Sequence, residues 1–130
     1  MPSYNVMTKI HVWLGLTEKS KNEFGRYFEI DESNKVTGVG ASQFDKDLDI
    51  EWYDDDLIGS YYNEENDSLE QALSELPISS LTVERVRRTC LEMTINKANA
   101  MFYYEDAELI VIDENRKYNT LTYIGIFDNL

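Results

Sequence analysis

The order of hydrophobic patterns along the chain limits the folds open to it. Residues 8–14 alternate apolar and polar side chains, with Ile10, Val12 and Leu14 on one side, which is the period of a strand. Helix-period segments follow, and three strand-like segments, AMFYYED, AELIVID and TLTYIGIF, come together near the C-terminal end. Partial alternation that ends in consecutive strands favours an α+β fold. We expect a single domain spanning residues 1–130, with a mostly antiparallel sheet of about four to five strands packed with two to four helices.

Two short helices are predicted in the first half of the chain. Thr17 is a candidate N-cap for the first helix, in which Phe24, Tyr27 and Phe28 share one face. Gly25 would weaken this helix, which suggests close packing at that position. Residues 31–41 are expected to form a loop. Ser42 is a candidate cap for the second helix, with Phe44 and Leu48 as its buried pair.

The strongest helix pattern begins at Ser80 or Thr82 and runs to residue 100, after one or two helical turns at residues 68–76. Its apolar stripe is Val83, Val86, Cys90, Met93 and Lys97. Cys90 on this stripe is expected to be a small core residue rather than a reactive thiol. Residues 113–119 are expected to supply the turn between the last two strands.

The negative charge of the chain is concentrated in one segment. Residues 45–70 hold eleven carboxylates and one lysine, in a chain whose formal net charge is −13. Trp52, Tyr53, Tyr61 and Tyr62 are interleaved with these acids. Acidic and aromatic side chains together suit a surface that binds a basic protein. A pI near 4.3 argues against direct binding to nucleic acid or to anionic membranes, because both require lysine and arginine.

Residues for catalysis are few. His11 is the one histidine of the chain and lies in a predicted strand, so we expect it under a helix or at the sheet edge rather than at an active site. Cys90 is the one cysteine, which excludes an intramolecular disulfide and fits a reducing compartment. The sequence shows neither a signal peptide nor a membrane span, and a cytoplasmic location is expected.

The acidic spacing suggests a calcium-binding loop, but the residue at the position of its sharp turn disfavours one. Asp45, Asp47, Asp49, Glu51 and Asp56 match the acidic positions of an EF-hand count. The position that needs glycine is Ile50, a β-branched residue that resists positive φ. We therefore expect no metal and no cofactor.

The basic cluster Arg85, Arg87 and Arg88 is expected to pair with the acidic segment within the molecule.

Three sequence blocks resemble a known family. They are IHVWLG (residues 10–15) with the aromatic helix after it, SQFDKDLDIEWYDDDLIGSY (residues 42–61) and YIGIFD (residues 123–128). Together they resemble the bacterial immunity proteins numbered 22 among the families of polymorphic toxin systems, with SQF before WYDDD as the most specific part. The positions that coincide with the family motif are Ser42, Gln43, Phe44, Trp52, Tyr53, Asp54 and Asp56.

The resemblance implies a small cytosolic antidote, encoded beside a toxin and inhibiting it by tight binding, as in contact-dependent growth inhibition. We expect a non-catalytic inhibitor of a basic toxin domain, a nuclease, whose substrate cleft must be cationic. The expected source of the negative field is Asp45, Asp47, Asp49, Glu51, Asp54, Asp55 and Asp56. The expected aromatic anchors are Tyr53, Tyr61 and Tyr62.

Two other functions stay open at this stage, as does the oligomeric state. An acidic adaptor or nucleic-acid mimic that blocks a basic protein would use the same charges. A carboxylate- or metal-dependent hydrolase would use the cluster Asp54, Asp55 and Asp56. Consecutive strand residues point to opposite faces, so these three carboxylates can converge only in a turn.

Overall fold

The computed structural model describes residues 8–30, 42–50, 53–54 and 56–129. The strands in these ranges are β1 (Thr8–Gly15), β2 (Ile58–Tyr62), β3 (Ala100–Tyr104), β4 (Lys117–Tyr118) and β5 (Leu121–Asn129). The helices there are α1 (Lys21–Arg26), α2 (Gln43–Leu48), α3 (Leu69–Leu73) and α4 (Ser80–Glu92). The five strands form one antiparallel sheet in the order β2-β3-β1-β5-β4, which confirms the predicted α+β class.

The central strand β1 is buried on both of its faces. Ile10, Val12 and Leu14 pack into an aliphatic cluster with side chains of α3 and α4. Trp13 points the other way, into an aromatic cluster with side chains of α1 and α2. The period-2 pattern therefore identified the strand correctly, but its alternate face is core rather than solvent.

Trp13 organises the aromatic cluster. Its ring stacks on Phe102 of β3 with centroids 4.7 Å apart and planes 15° apart. Phe44 of α2 meets Trp13 edge-on at 5.8 Å and 81°. Stacked and edge-on ring pairs of this kind stabilise beyond the area they bury, by about 0.5–1.5 kcal/mol each. The position of α2 over the sheet thus depends on Phe44 reaching Trp13.

A bulge in β5 changes which of its side chains face the aliphatic cluster. Val12 is paired with Gly125 and Trp13 with Tyr123, so Ile124 is the extra residue of β5. Tyr123 faces the aromatic cluster and Ile124 the aliphatic one, as consecutive strand residues do, and the bulge shifts the alternation so that Phe127 also packs on the aliphatic side. Gly125 adopts φ +143, a conformation that residues with a Cβ rarely reach.

The first helix begins later than predicted. Ser20, not Thr17, is its N-cap: the Ser20 hydroxyl accepts from the Glu23 N–H, and the Glu23 carboxylate accepts from the Ser20 N–H. Thr17 is buried, and its N–H donates to the Asn99 side chain at 2.8 Å. A reciprocal capping box satisfies two free N–H groups, which favours the serine. The prediction of close packing at Gly25 is also wrong, because nothing lies within 4 Å of a Cβ added there.

The other short helices agree with the sequence. Ser42 caps α2, and Phe44 and Leu48 are buried as predicted. Ser68 caps α3 within the predicted residues 68–76. The predicted loop at residues 31–41 lies outside the described residues.

The long helix, α4, ends earlier than the sequence predicted. It begins after the Ser79 cap and ends at Glu92, and Thr94 follows with φ +60. Val86 and Cys90 are buried as predicted, whereas Met93 is 39% exposed because the helix has already ended. Burial raises the pKa of the Cys90 thiol to about 12, which keeps it protonated and inert.

The segment AELIVID does not form the predicted strand. Residues 105–116 contain neither helix nor strand, although the period-2 burial survives, with Val111 buried and Ile110 and Ile112 exposed. β5 is instead flanked by β1 and by the two-residue β4. The predicted turn at residues 113–119 accordingly contains β4.

Gly125 and Gly25 form a matched pair for testing the bulge. We expect Gly125→Ala to lower the free energy of unfolding by about 1–3 kcal/mol, because alanine is strained at this φ. Gly25→Ala lies in a helix with open space, so it should raise that free energy by about 0.5–1 kcal/mol. Urea unfolding followed by circular dichroism measures both. Equal effects of the two substitutions would contradict the role assigned to the bulge.

Candidate functional site

The first acid of the charged segment holds the start of α2. The Asp45 carboxylate accepts hydrogen bonds from the Ser42 N–H and the Ser42 hydroxyl, both at 2.9 Å, and Asp45 is fully buried. The Ser42 hydroxyl in turn accepts from the Asp45 N–H at 3.1 Å. Asp45 therefore caps the helix and offers no surface to a partner in this structure.

The second acid connects three parts of the fold. The Asp47 carboxylate accepts from the Tyr27 hydroxyl at 2.7 Å, from the Gln43 amide at 2.8 Å and from the Arg116 guanidinium at 3.1 Å. Its side chain is 11% exposed. Burial, and then the hydrogen bond to Asp47, raise the pKa of Tyr27. Asp47 thus joins α2 to the end of α1 and to the residues before β4.

Three acids after Asp47 do reach solvent. Asp49 ends α2 in the left-handed conformation, φ 60 and ψ 46, and is exposed. Asp54 and Asp56 lie in a turn, in which the Asp54 carboxylate accepts from the Asp56 N–H at 2.9 Å and the Asp54 carbonyl accepts from the Leu57 N–H at 3.0 Å. Asp56 is exposed and Asp54 half-buried. The remaining predicted acids, Glu51 and Asp55, lie outside the described residues, as does Trp52.

The three predicted tyrosine anchors are partly used by the fold. Tyr53 is 5% exposed and its hydroxyl donates to the Phe28 carbonyl at 2.6 Å. The Tyr62 hydroxyl donates to the Lys19 carbonyl at 2.6 Å, and its ring packs against the aromatic cluster. Tyr61 packs against the aliphatic cluster on the other face of β2. Tyr61 and Tyr62 are both half-buried, so part of each ring stays accessible.

Exposed acids from two distant parts of the chain meet at one depression, which we call the acidic groove. It has a volume of about 430 Å³ and lies between the end of α2 and residues 106–112. Asp49, Asp106 and Glu108 are its carboxylates. Tyr104 lines the same depression, and its hydroxyl accepts from the Asp54 N–H at 2.9 Å. The turn that carries Asp54 therefore adjoins the groove.

Negative charge around the groove affects Tyr104. Burial is the main cause that raises the pKa of this tyrosine, the hydrogen bond from the Asp54 N–H opposes the rise, and the charges of Asp106, Asp54 and Asp45 add to it. Asp106 and Glu108 were missed from the sequence because each was placed in a predicted strand. The Asp106 side chain instead accepts from the Glu108 N–H at 2.8 Å, a local turn for which aspartate is a known signal.

His11 attaches one wall of the groove to the sheet. Its Nε2 lies 3.0 Å from the Asp106 carbonyl and its Nδ1 lies 2.8 Å from the Tyr123 hydroxyl. A carbonyl can only accept, so Nε2 carries the hydrogen and Nδ1 accepts from Tyr123. Burial lowers the pKa of His11 despite the opposing effect of Asp106, which keeps the imidazole neutral. His11 is buried and structural, as predicted, but it lies in the central strand beneath the segment after β3 rather than at the sheet edge or under a helix.

The basic cluster pairs with the acidic segment at one residue. The Arg87 guanidinium donates to the Glu70 carboxylate at 2.6 and 2.8 Å, which confirms the intramolecular pairing for this arginine. Glu84 is a second partner of Arg87. The hydrogen bonds from Arg87 lower the pKa of Glu70. This exposed network lies beside α3 and α4, on the opposite face of the sheet from the acidic groove.

The spacing that resembled a calcium loop begins within a helix. Asp45 and Asp47 are residues of α2 and Asp49 caps its C-terminal end, whereas Asp56 lies in the later turn and Glu51 lies outside the described residues. Across the described ranges, histidine, cysteine and carboxylate side chains form no group of three or more suited to a metal ion. None of the helices in the described part of the chain is both long and apolar enough to cross a membrane.

Comparison with known proteins gives the family. A family profile described as Immunity protein 22 matches residues 10–129, nearly the whole chain. The protein therefore belongs to the Immunity protein 22 family, as the resemblance in its sequence indicated. This class implies a role in immunity and binding to a cognate toxin. Searches of curated proteins and of solved structures found no match.

The neutral state of His11 predicts a pH dependence of stability. Its folded pKa lies below the ordinary value of 6.5, so below pH 6.5 the unfolded chain binds more protons than the folded one. Stability should then fall with decreasing pH, by at most about 1.4 kcal/mol per pH unit from this group. His11→Gln cannot titrate, and it should show a smaller decrease between pH 6.5 and 5 in urea unfolding. Parallel decreases in the two proteins would contradict this assignment.

Proposed function

We propose that this protein neutralises a cognate bacterial toxin domain, a nuclease, by direct high-affinity binding through its acidic surface in the cytoplasm. Its family supplies the class of partner. The observation that carries the proposal is the meeting of exposed carboxylates from two distant chain segments around one groove. Binding alone would suffice for protection, so we propose no catalytic role.

Electrostatics support a basic partner. A net charge of −13 on 130 residues creates a negative field that speeds encounter with a cationic surface. Nucleases need such a surface to hold the phosphates of their substrate. An acidic inhibitor over that surface would prevent nucleic acid from binding there.

The acids divide into two roles under this proposal. Asp49, Asp54 and Asp56 are accessible and would face the toxin, together with Asp106 and Glu108. Asp45 and Asp47 are held in hydrogen bonds and would act mainly by keeping α2 in place. We retain Glu51 and Asp55 as proposed contact residues on their sequence position alone.

The tyrosines divide in the same way. Tyr61 and Tyr62 are neighbours in a strand and face opposite sides of the sheet, so one contact surface cannot use both rings fully. Tyr62 shares its face with α1 and the aromatic cluster, and we propose it as the tyrosine closer to the toxin. Tyr53 would support the acidic surface from below.

Charge reversal at accessible positions tests the proposal. We expect Asp49→Lys with Asp56→Lys to weaken binding to the toxin domain encoded by the neighbouring gene by at least about tenfold, and to reduce its salt dependence. The measurement is biolayer interferometry at two salt concentrations. Glu75→Lys with Glu92→Lys is the matched control, since both are exposed and the net charge changes equally. Equal loss in the two variants would show that overall charge, not this surface, governs binding.

A further inference from the structure

The two most exposed large hydrophobic side chains of the described residues belong to one short segment. Ile110 is 76% exposed and Ile112 is 75% exposed, and both line the acidic groove. Between them, Val111 points inward and is 7% exposed. Exposed apolar side chains that are grouped in a groove with a polar rim are typical of interaction sites.

The backbone of this segment is attached to the fold at both ends. At its start, the Glu105 N–H donates to the Leu57 carbonyl at 2.9 Å, and the Asp106 carbonyl accepts from His11. At its end, the Tyr118 hydroxyl donates to the Asp113 carbonyl at 2.6 Å. The backbone that carries the two isoleucines is therefore held in place before binding, which lowers the conformational-entropy cost of forming a complex.

The charges beside the isoleucines determine which chemical groups a binding partner must present to the groove. Asp49, Asp106 and Glu108 line the same groove as the two isoleucines, so a complementary occupant offers an apolar group together with cations. A second copy of the chain would bring another net charge of −13 to the same place, which disfavours self-association there.

We infer that the acidic groove, with Ile110 and Ile112 in its lining, is the anchor point of the toxin interface and that these two side chains form the apolar centre of that interface. It would take a toxin segment whose apolar side chain is flanked by lysine or arginine. This inference rests on the proposed function and adds an apolar centre to the acidic interface. Such a centre, shielded from water by a charged rim, carries most of the affinity in many interfaces.

Removing the apolar centre without changing charge tests the inference. We expect Ile110→Ser with Ile112→Ser to weaken binding to the toxin domain encoded by the neighbouring gene about 100-fold, mainly through faster dissociation. Leu81→Ser with Leu91→Ser is the matched control: both leucines lie on α4, across the sheet, and are 56% and 54% exposed. Binding by this control should stay within about threefold of wild type.

The charged rim of the groove, which includes Asp106 and Glu108, should affect association more than dissociation. Asp106→Asn with Glu108→Gln removes two charges while asparagine keeps an acceptor for the Glu108 N–H. We expect this variant to slow association and flatten its salt dependence more than it speeds dissociation. Rim and centre variants that change the same rate constant equally would overturn the division between charge and apolar contact.

The outcomes separate this inference from the proposed function. If wild-type protein fails to bind the toxin domain, both are overturned. If wild type binds and the isoleucine variant binds equally well, only the groove assignment is overturned. Two further results would overturn it: a melting temperature lowered as far as by Leu73→Ser in the core, which would mean that the isoleucines pack on their own chain, or a wild-type dimer in sedimentation that the variant loses.

Discussion

The burial of β1 on both faces is the constraint from which the rest of the structure follows. Because Ile10, Val12 and Leu14 fill one face, α3 and α4 must cover it. Because His11 and Trp13 occupy the other, α1 and α2 cover Trp13 and a carbonyl of the segment after β3 meets His11. The acidic groove forms where α2 meets the segment after β3, so its position depends on Trp13 and His11 of the central strand.

Acidic residues that are close in sequence have different roles in this protein: some stabilise the fold and others lie on the surface. Along α2, Asp45 closes the first turn, Asp47 connects to α1 and Asp49 ends the helix in solvent. A helix turns by about 100° per residue, so acids two apart cannot share one environment. A run of acids in sequence therefore does not translate into a continuous acidic face. The groove gains its remaining carboxylates from residues 106–108, far away in sequence.

Local patterns in the sequence predicted much of the fold, and nonlocal pairing decided the rest. Strand periodicity at residues 8–14 and the Ser42 cap were sufficient for β1 and α2. The period-2 pattern around Val111 was equally clear but predicted a strand that does not form, because periodicity reports burial and not the presence of a pairing partner. The same error hid Ile110, Ile112 and Glu108 from the candidate site. Tyr53 was assigned to a surface because its acidic neighbours suggested one, whereas its ring is buried.

Hydrogen exchange of the protein alone and bound to the toxin domain tests the central claim most directly, because it reports contact along the chain without any substitution. The account predicts slower exchange on binding at the end of α2 and at residues 105–113, with α4 unchanged. Slower exchange confined to α3 and α4, with residues 105–113 unaffected, would place the toxin on the opposite face of the sheet and contradict the account.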